Sequence, residues 1–121
     1  MSKPPSPRMR KVNELLREVI AEEATELKDP RIGFLTITGV DTAPNLRSAR
    51  VYYSVLGDDA QRAKTGEALK SAARRFQAVI GQQTRLKYTP VLEFVIDPSI
   101  DQGLRIDALL QQIHEEEGDD E

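Results

Sequence analysis

The sequence predicts a small α+β domain in which a three-stranded sheet buries one face beneath amphipathic helices. Three observations predict it. Two long stretches place apolar residues at helical spacing; two β-rich stretches lie between them and a third follows the second; and 121 residues suffice for one core rather than two. The element order is α-β-β-α-β-α.

Residues 1–7 hold Lys3, Pro4, Pro5 and Pro7, whose fixed backbone angles favour an extended, flexible basic arm. From Arg8 to Leu27, Met9, Val12, Leu16, Val19, Ile20 and Leu27 recur in steps that stack on one helical face, with Arg10, Lys11, Glu14, Arg17 and Glu18 opposite; Asp29-Pro30 ends the helix. Gly33–Val40 is rich in β-branched residues and reads as a strand, followed by turn chemistry in Ala43-Pro44-Asn45-Leu46. Arg47–Leu56 alternates, with Ala49, Val51, Tyr53 and Val55 on the inward face. After Gly57, Asp58 or Asp59 can cap a second helix whose apolar positions, Ala60, Ala63, Leu69, Ala72, Ala73, Phe76, Val79 and Ile80, carry it to about Leu86. Tyr88-Thr89-Pro90 breaks it. Val91–Ile96 is the third strand, and its nearly continuous apolar run predicts a central place in the sheet. Ile106, Leu109, Leu110 and Ile113 mark a short last helix, so the folded domain is expected over 8–114 and a disordered acidic tail over 115–121.

Charge is unevenly divided along the chain. The net charge is −3, but residues 1–90 carry 16 Lys/Arg against 10 Asp/Glu, whereas Arg105 alone faces ten carboxylates beyond them. Six of those carboxylates fall in 115–121, a block that reads as solvated chain. A basic body points to a polyanionic partner. The absence of cysteine removes disulfides, thiolate metal sites and cysteine nucleophiles, and suits the cytoplasm. No apolar run approaches the length of a membrane span, and the N-terminal residues lack a signal-peptide core, so neither insertion nor export is expected.

Enzyme chemistry finds no residues to use. His114, the sole histidine, stands beside Glu115–Glu117 without an orienting partner; no glycine spacing makes a phosphate cradle; and no carboxylate group has metal-ligand spacing. Neither cofactor nor metal is expected. What remains is a concentration of cations on the second long helix and its exit. Lys64, Lys70, Arg74, Arg75, Arg85 and Lys87 face a single glutamate, Glu67, and Lys70 and Arg74 are spaced to share a helix face. Arg8, Arg10 and Lys11 form a second cluster, with Arg31 beside the first strand. Phe34, Phe76 and Phe94 fit core positions, leaving Tyr52 and Tyr88 as possible base-stacking groups. The RNA-binding candidates are therefore Arg8, Arg10, Lys11, Arg31, Lys70, Arg74, Arg75, Arg85 and Lys87. The alternatives are a merely solvated helix face, or a protein-binding adaptor that docks its partner through the C-terminal helix or the open sheet face.

The segments Asp29-Pro30-Arg31-Ile32-Gly33-Phe34-Leu35-Thr36-Ile37-Thr38-Gly39-Val40, Ala49-Arg50-Val51-Tyr52-Tyr53-Ser54 and Arg85-Leu86-Lys87-Tyr88-Thr89-Pro90-Val91-Leu92-Glu93-Phe94, in this order, resemble the ribosome-binding factor A family. The likeness runs from about Arg8 to Ile113. It implies a type II KH-like domain in which a helix-kink-helix replaces the G-x-x-G loop. The family marks its kink with Ala-x-Gly, and here Ala72-Ala73-Arg74 stands at that place, so arginine replaces the glycine. The resemblance further implies a monomeric, non-enzymatic maturation factor that binds the free 30S subunit and 16S rRNA late in assembly. It implies assistance to 16S 5′-end processing and a role in growth in the cold.

Overall fold

The computed structural model describes residues 5–98. Helix α1 spans Pro7–Thr25, strand β1 Leu35–Thr42, β2 Ser48–Val55, helix α2 Asp59–Ser71, α3 Ala73–Gln83 and β3 Val91–Ile96. The expected helix around Ile106–Ile113, the tail 115–121 and most of the N-terminal arm lie outside the described residues. Helix α1 starts earlier than the prolines imply. Ser6 caps it by accepting from the Met9 N–H at 3.2 Å, and Pro7 occupies the first helical position, where a missing N–H costs nothing.

The sheet runs β1-β2-β3, with β1 antiparallel to β2 and β3 parallel to it. This corrects the expected central place of Val91–Ile96: β2 is central and β3 is an edge. The hairpin occupies one side of β2, and the helical crossover required for parallel pairing brings β3 to the remaining side. Val91 is 63% exposed despite its apolar neighbours, because it pairs with exposed Ser48 on the uncovered sheet face, whereas Leu92 beside it is buried. A bulge between Ile37 and Gly39 gives Thr38 the extra place in β1. The bulge resets the side-chain alternation, so Leu35, Ile37, Val40 and Thr42 all pair with inward residues of β2.

Three helices cover one sheet face. Leu16 and Ile20 of α1, Leu69 of α2, and Phe76 and Ile80 of α3 are essentially inaccessible and meet Val51, Tyr53 and Leu92 from the sheet. Phe76 packs on Phe94 with ring centroids 5.4 Å apart. Each such fully buried side chain contributes about 1.5–3 kcal/mol. An 11-residue helix is marginal in isolation, so Phe76 and Ile80 are what fix α3 in place.

Two expectations about the core need correction. Phe34 is 82% exposed: it precedes β1 at the mouth of the α1–β1 groove, where its carbonyl accepts from the N–H of the exposed Leu56 at 3.1 Å. On α2, Ala60 and Ala63 face solvent and Thr65, Ala68 and Leu69 face inward. The reason is polar. Thr65 and Gln61 clasp the chain between α1 and β1: Gln61 Nε2 donates to the Arg31 carbonyl at 2.9 Å, Thr65 Oγ1 donates to the same carbonyl at 3.3 Å, and the Gly33 N–H approaches Thr65 Oγ1 at 3.4 Å. A Cβ at Gly33 would lie 3.1 Å from Gln61 Nε2, so glycine there permits the close approach.

The long helix expected over 59–86 is divided, and the division is the kink that the resemblance implies. Ala72 is the single break, with φ −89° and ψ 0°. Its N–H still reaches the Ala68 and Leu69 carbonyls at 3.0 and 3.1 Å, and its carbonyl accepts from the Phe76 N–H at 3.1 Å. Such angles are open to any L-residue, so the kink forms without glycine and Arg74 is an ordinary member of α3.

Candidate nucleic-acid interface

Helix α1 lies antiparallel to β1. The Thr42 N–H donates to Asn13 Oδ1 at 2.9 Å near one end, and Ala21 and Ala24 line a groove with Leu35 and Ile37 near the other. The hairpin turn is closed by Leu46 N–H to the Ala43 carbonyl at 2.8 Å, and Leu46 takes the left-handed angle φ 63°. The Val91 N–H joins β3 to the Arg47 carbonyl at 3.0 Å. These bonds gather the start of α1, the hairpin turn and the loop leaving α3 at one end of the molecule. Arg8, Arg10, Lys11, Arg85 and Lys87 therefore share that end. Arg47, which sequence reasoning did not single out, joins them; its guanidinium carbon sits 4.3 Å from the centroid of the Tyr88 ring, and Lys87 Nζ lies 5.5 Å from it.

Lys70, Arg74 and Arg75 lie at the opposite end of α3, beside the break. The break falls between Lys70 and Arg74, so their four-residue spacing does not run along one continuous helix. Eleven residues at 1.5 Å each place the two cation clusters about 16 Å apart. The basic surface is thus two patches joined by α3.

Ion pairing sorts the candidates. Arg31 Nε and Nη2 donate to Asp29 at 3.0 and 2.7 Å, and its backbone N–H donates to the same carboxylate at 2.9 Å. These bonds hold the Asp29 carboxyl below its usual pKa and raise that of Arg31. Arg75 Nε donates to Glu23 at 2.6 Å, tying α3 to the end of α1 through a carboxylate with only 15% of its side chain exposed. Arg17 pairs with Glu14, and Arg50 approaches Glu93 at 3.7 Å on the open sheet face. Among the described residues, none of Arg8, Arg10, Lys11, Arg47, Lys70, Arg74, Arg85 and Lys87 has an ion-pair partner.

Two of these groups stand where helix stability opposes them. The first turn of α1 contains Arg8 and Arg10 and no acidic residue, and α3 opens on Arg74 and Arg75 with neither an acidic residue nor a side-chain cap. A cation at the positive end of a helix dipole costs about 0.3–1 kcal/mol. Arg8 and Arg10 thus add positive charge at the start of α1 and Arg74 at the start of α3, whereas Arg75 is offset by Glu23 from the end of α1.

A groove of about 490 Å³ between α1 and β1 is lined by Arg17, Ala21, Leu27, Phe34 and Ile37 among others. Its acidic member, Asp29, is engaged by Arg31. Among the described residues no three His, Cys, Asp or Glu side chains converge to hold a metal, and no helix is long and apolar enough to cross a membrane.

Fold and surface define a small α+β module with a helix–break–helix on its covered sheet face and free cations at both ends of the third helix. The chain belongs to the ribosome-binding factor A family, whose model matches residues 8–110. It is 45% identical over 115 residues to ribosome-binding factor A of Geobacter sulfurreducens, covering 94% of this chain and 98% of the relative. It is 46% identical over 114 residues to that of Rubrobacter xylanophilus, covering 93% and 92%. The crystal structure of the Thermus thermophilus factor superposes with a TM-score of 0.67 at 27% identity, over 73% of this chain and 94% of that one. Also similar is a homology model of the Thermus thermophilus factor fitted into the cryo-EM map of a complex of the 30S subunit with ribosome-binding factor A, at TM-score 0.59 and 29% identity over 69% and 88% of the two chains.

Proposed function

We propose that this protein binds the free small ribosomal subunit during its late assembly, gripping 16S rRNA through phosphate contacts at the two cation clusters. Arg8, Arg10, Lys11, Arg85 and Lys87 act at the hairpin end, and Lys70 and Arg74 act at the kink. Arg31 and Arg75, held by Asp29 and Glu23, serve chiefly as struts that position the loop before β1 and the start of α3. The observation that carries this reading is the placement of free arginines at the positive ends of α1 and α3, an arrangement unfavourable to the helices and favourable to an anionic ligand. Family membership and the fit of the similar Thermus thermophilus homology model into a 30S complex map support the same partner.

Binding without bond chemistry suffices for maturation. A protein that binds one arrangement of the 5′ region of 16S rRNA better than its competitors shifts that population by its differential affinity. The bias matters most in the cold, where misfolded helices escape slowly. Co-sedimentation with 30S, 50S and 70S particles at low and high salt tests the proposal. The expected result is retention on free 30S particles only, weakened by salt; absence from 30S particles at low salt refutes it.

One observation favours a second reading, an adaptor for a ribosomal protein or an assembly GTPase. Phe34 and Leu56, 82% and 67% exposed, form an apolar step joined by a backbone bond, and Phe34 lines the α1–β1 groove. Retention on 30S particles that is insensitive to salt but lost in Phe34→Ser would favour the adaptor.

A further inference from the structure

Among the described residues, the contact between Arg47 and Tyr88 is the one place at the hairpin end where a planar cation and an aromatic ring are already assembled. Arg47 lies in the turn before β2 and Tyr88 in the loop before β3, so tertiary structure alone brings them together. Both are tied into the fold. The Arg47 N–H donates to Asn45 Oδ1 at 3.0 Å, its carbonyl accepts from the Val91 N–H at 3.0 Å, and Pro90, two residues after Tyr88, is fully buried. Among the described residues no carboxylate pairs with Arg47, unlike Arg17, Arg31, Arg50 and Arg75. The guanidinium carbon lies 4.3 Å from the ring centroid, close to a stacking distance, and the residue is exposed. A guanidinium lying over a ring keeps its other side open, and an exposed one can receive another flat π-system there.

We propose that Arg47, backed by the Tyr88 ring, is a stacking site for an unpaired RNA base. It gives the hairpin end a preference for single strands or helix junctions over continuous duplex. This deepens the phosphate-binding reading and rests on it. Cations that neutralise phosphates act on either form of RNA, whereas a stacking plane engages only a base whose face is free. The neighbouring Lys87, Arg85 and α1 cations would steer the backbone, and the Arg47–Tyr88 step would hold one base beside it.

The test compares binding of a 12-nucleotide single-stranded RNA and the matching duplex by fluorescence anisotropy, for wild type, Arg47→Lys, Tyr88→Phe and Tyr88→Leu. A 2-aminopurine version of the single strand reports stacking directly. Arg47→Lys keeps the charge and loses the plane, so single-strand affinity falls at least about fivefold and 2-aminopurine quenching is lost, while duplex affinity changes less than about twofold. Tyr88→Phe keeps the ring and binds as wild type; Tyr88→Leu behaves as Arg47→Lys, provided thermal melting shows it folded. Wild-type RNA binding with Arg47→Lys indistinguishable on both RNAs, or weakened equally on both, overturns the stacking site alone. No binding of either RNA by the wild-type protein overturns the phosphate-binding reading, and the stacking site with it.

Discussion

Replacing Arg85 and Lys87 together by glutamine removes two cations from the loop between α3 and β3, where neither has an ion-pair partner among the described residues. Both side chains are exposed, so the fold should be untouched. Each neutralised phosphate contributes about 0.7 to the slope of log affinity against log salt for single-stranded RNA, so the double variant should be shallower by about 1.4. Between about 50 and about 200 mM salt this corresponds to about sevenfold less weakening than in wild type. The control is Glu23→Gln with Arg75→Gln, which deletes a cation together with its carboxylate and should leave the slope where it was. Anisotropy titrations of a short single strand at four salt concentrations give the slopes directly. A double-variant slope equal to the wild type's would show that phosphates do not meet this end. A drop of about 0.7 in the Glu23/Arg75 control would show that pairing does not sort the arginines as argued.

Gly57 has φ +136°, and an added Cβ would fall 2.8 Å from the Gln61 Cβ, so Gly57→Ala should cost about 2 kcal/mol or more in urea unfolding. Leu69→Ala empties a fully buried site between helices and sheet and should cost about 2–5 kcal/mol by the same measurement. Arg74→Gly should leave far-UV circular dichroism unchanged, since Ala72 makes the kink, while lowering stability by about 1 kcal/mol and weakening RNA binding. The Asp29 carboxyl is held below its ordinary value of 3.8 by bonds from the Arg31 side chain and backbone. Its contribution to stability is therefore present above that ordinary value and lost as pH falls through the lowered folded one. Urea midpoints of wild type and Asp29→Asn should differ at pH 7 and converge toward the bottom of the acid range; a gap that widens with acid would contradict this sign.

Periodicity determined much of the fold from the chain alone. Leu16, Val19 and Ile20 on one stripe, and Val51, Tyr53 and Val55 on alternate positions, are local patterns that admit one inward face each. The motif Asp29-Pro30-Arg31-Ile32-Gly33 also carried the family resemblance, and in the folded chain it forms a clasp: Asp29 holds Arg31, and the Arg31 carbonyl and Gly33 meet Gln61 and Thr65. Thr65 escapes a sequence reading of the core because its hydroxyl is satisfied by a backbone group 34 positions away, which no local pattern reports.

Charge followed the same division. That the body of the chain is basic is written in its composition, and the nine candidate cations were legible as residue types. Which of them remain free was decided by tertiary packing. The end of α1 carries Glu23 to Arg75, and the turn after α1 carries Asp29 to Arg31, whereas the hairpin brings Arg47 to Tyr88 instead of to a carboxylate. The order of strands was likewise beyond local reading, since the apolar run of β3 is compatible with either place until the hairpin has claimed one side of β2. Sequence determines the faces of elements because side-chain direction repeats with the backbone's own period. Only the packed chain decides which faces and charges meet, because those contacts depend on the whole path between them.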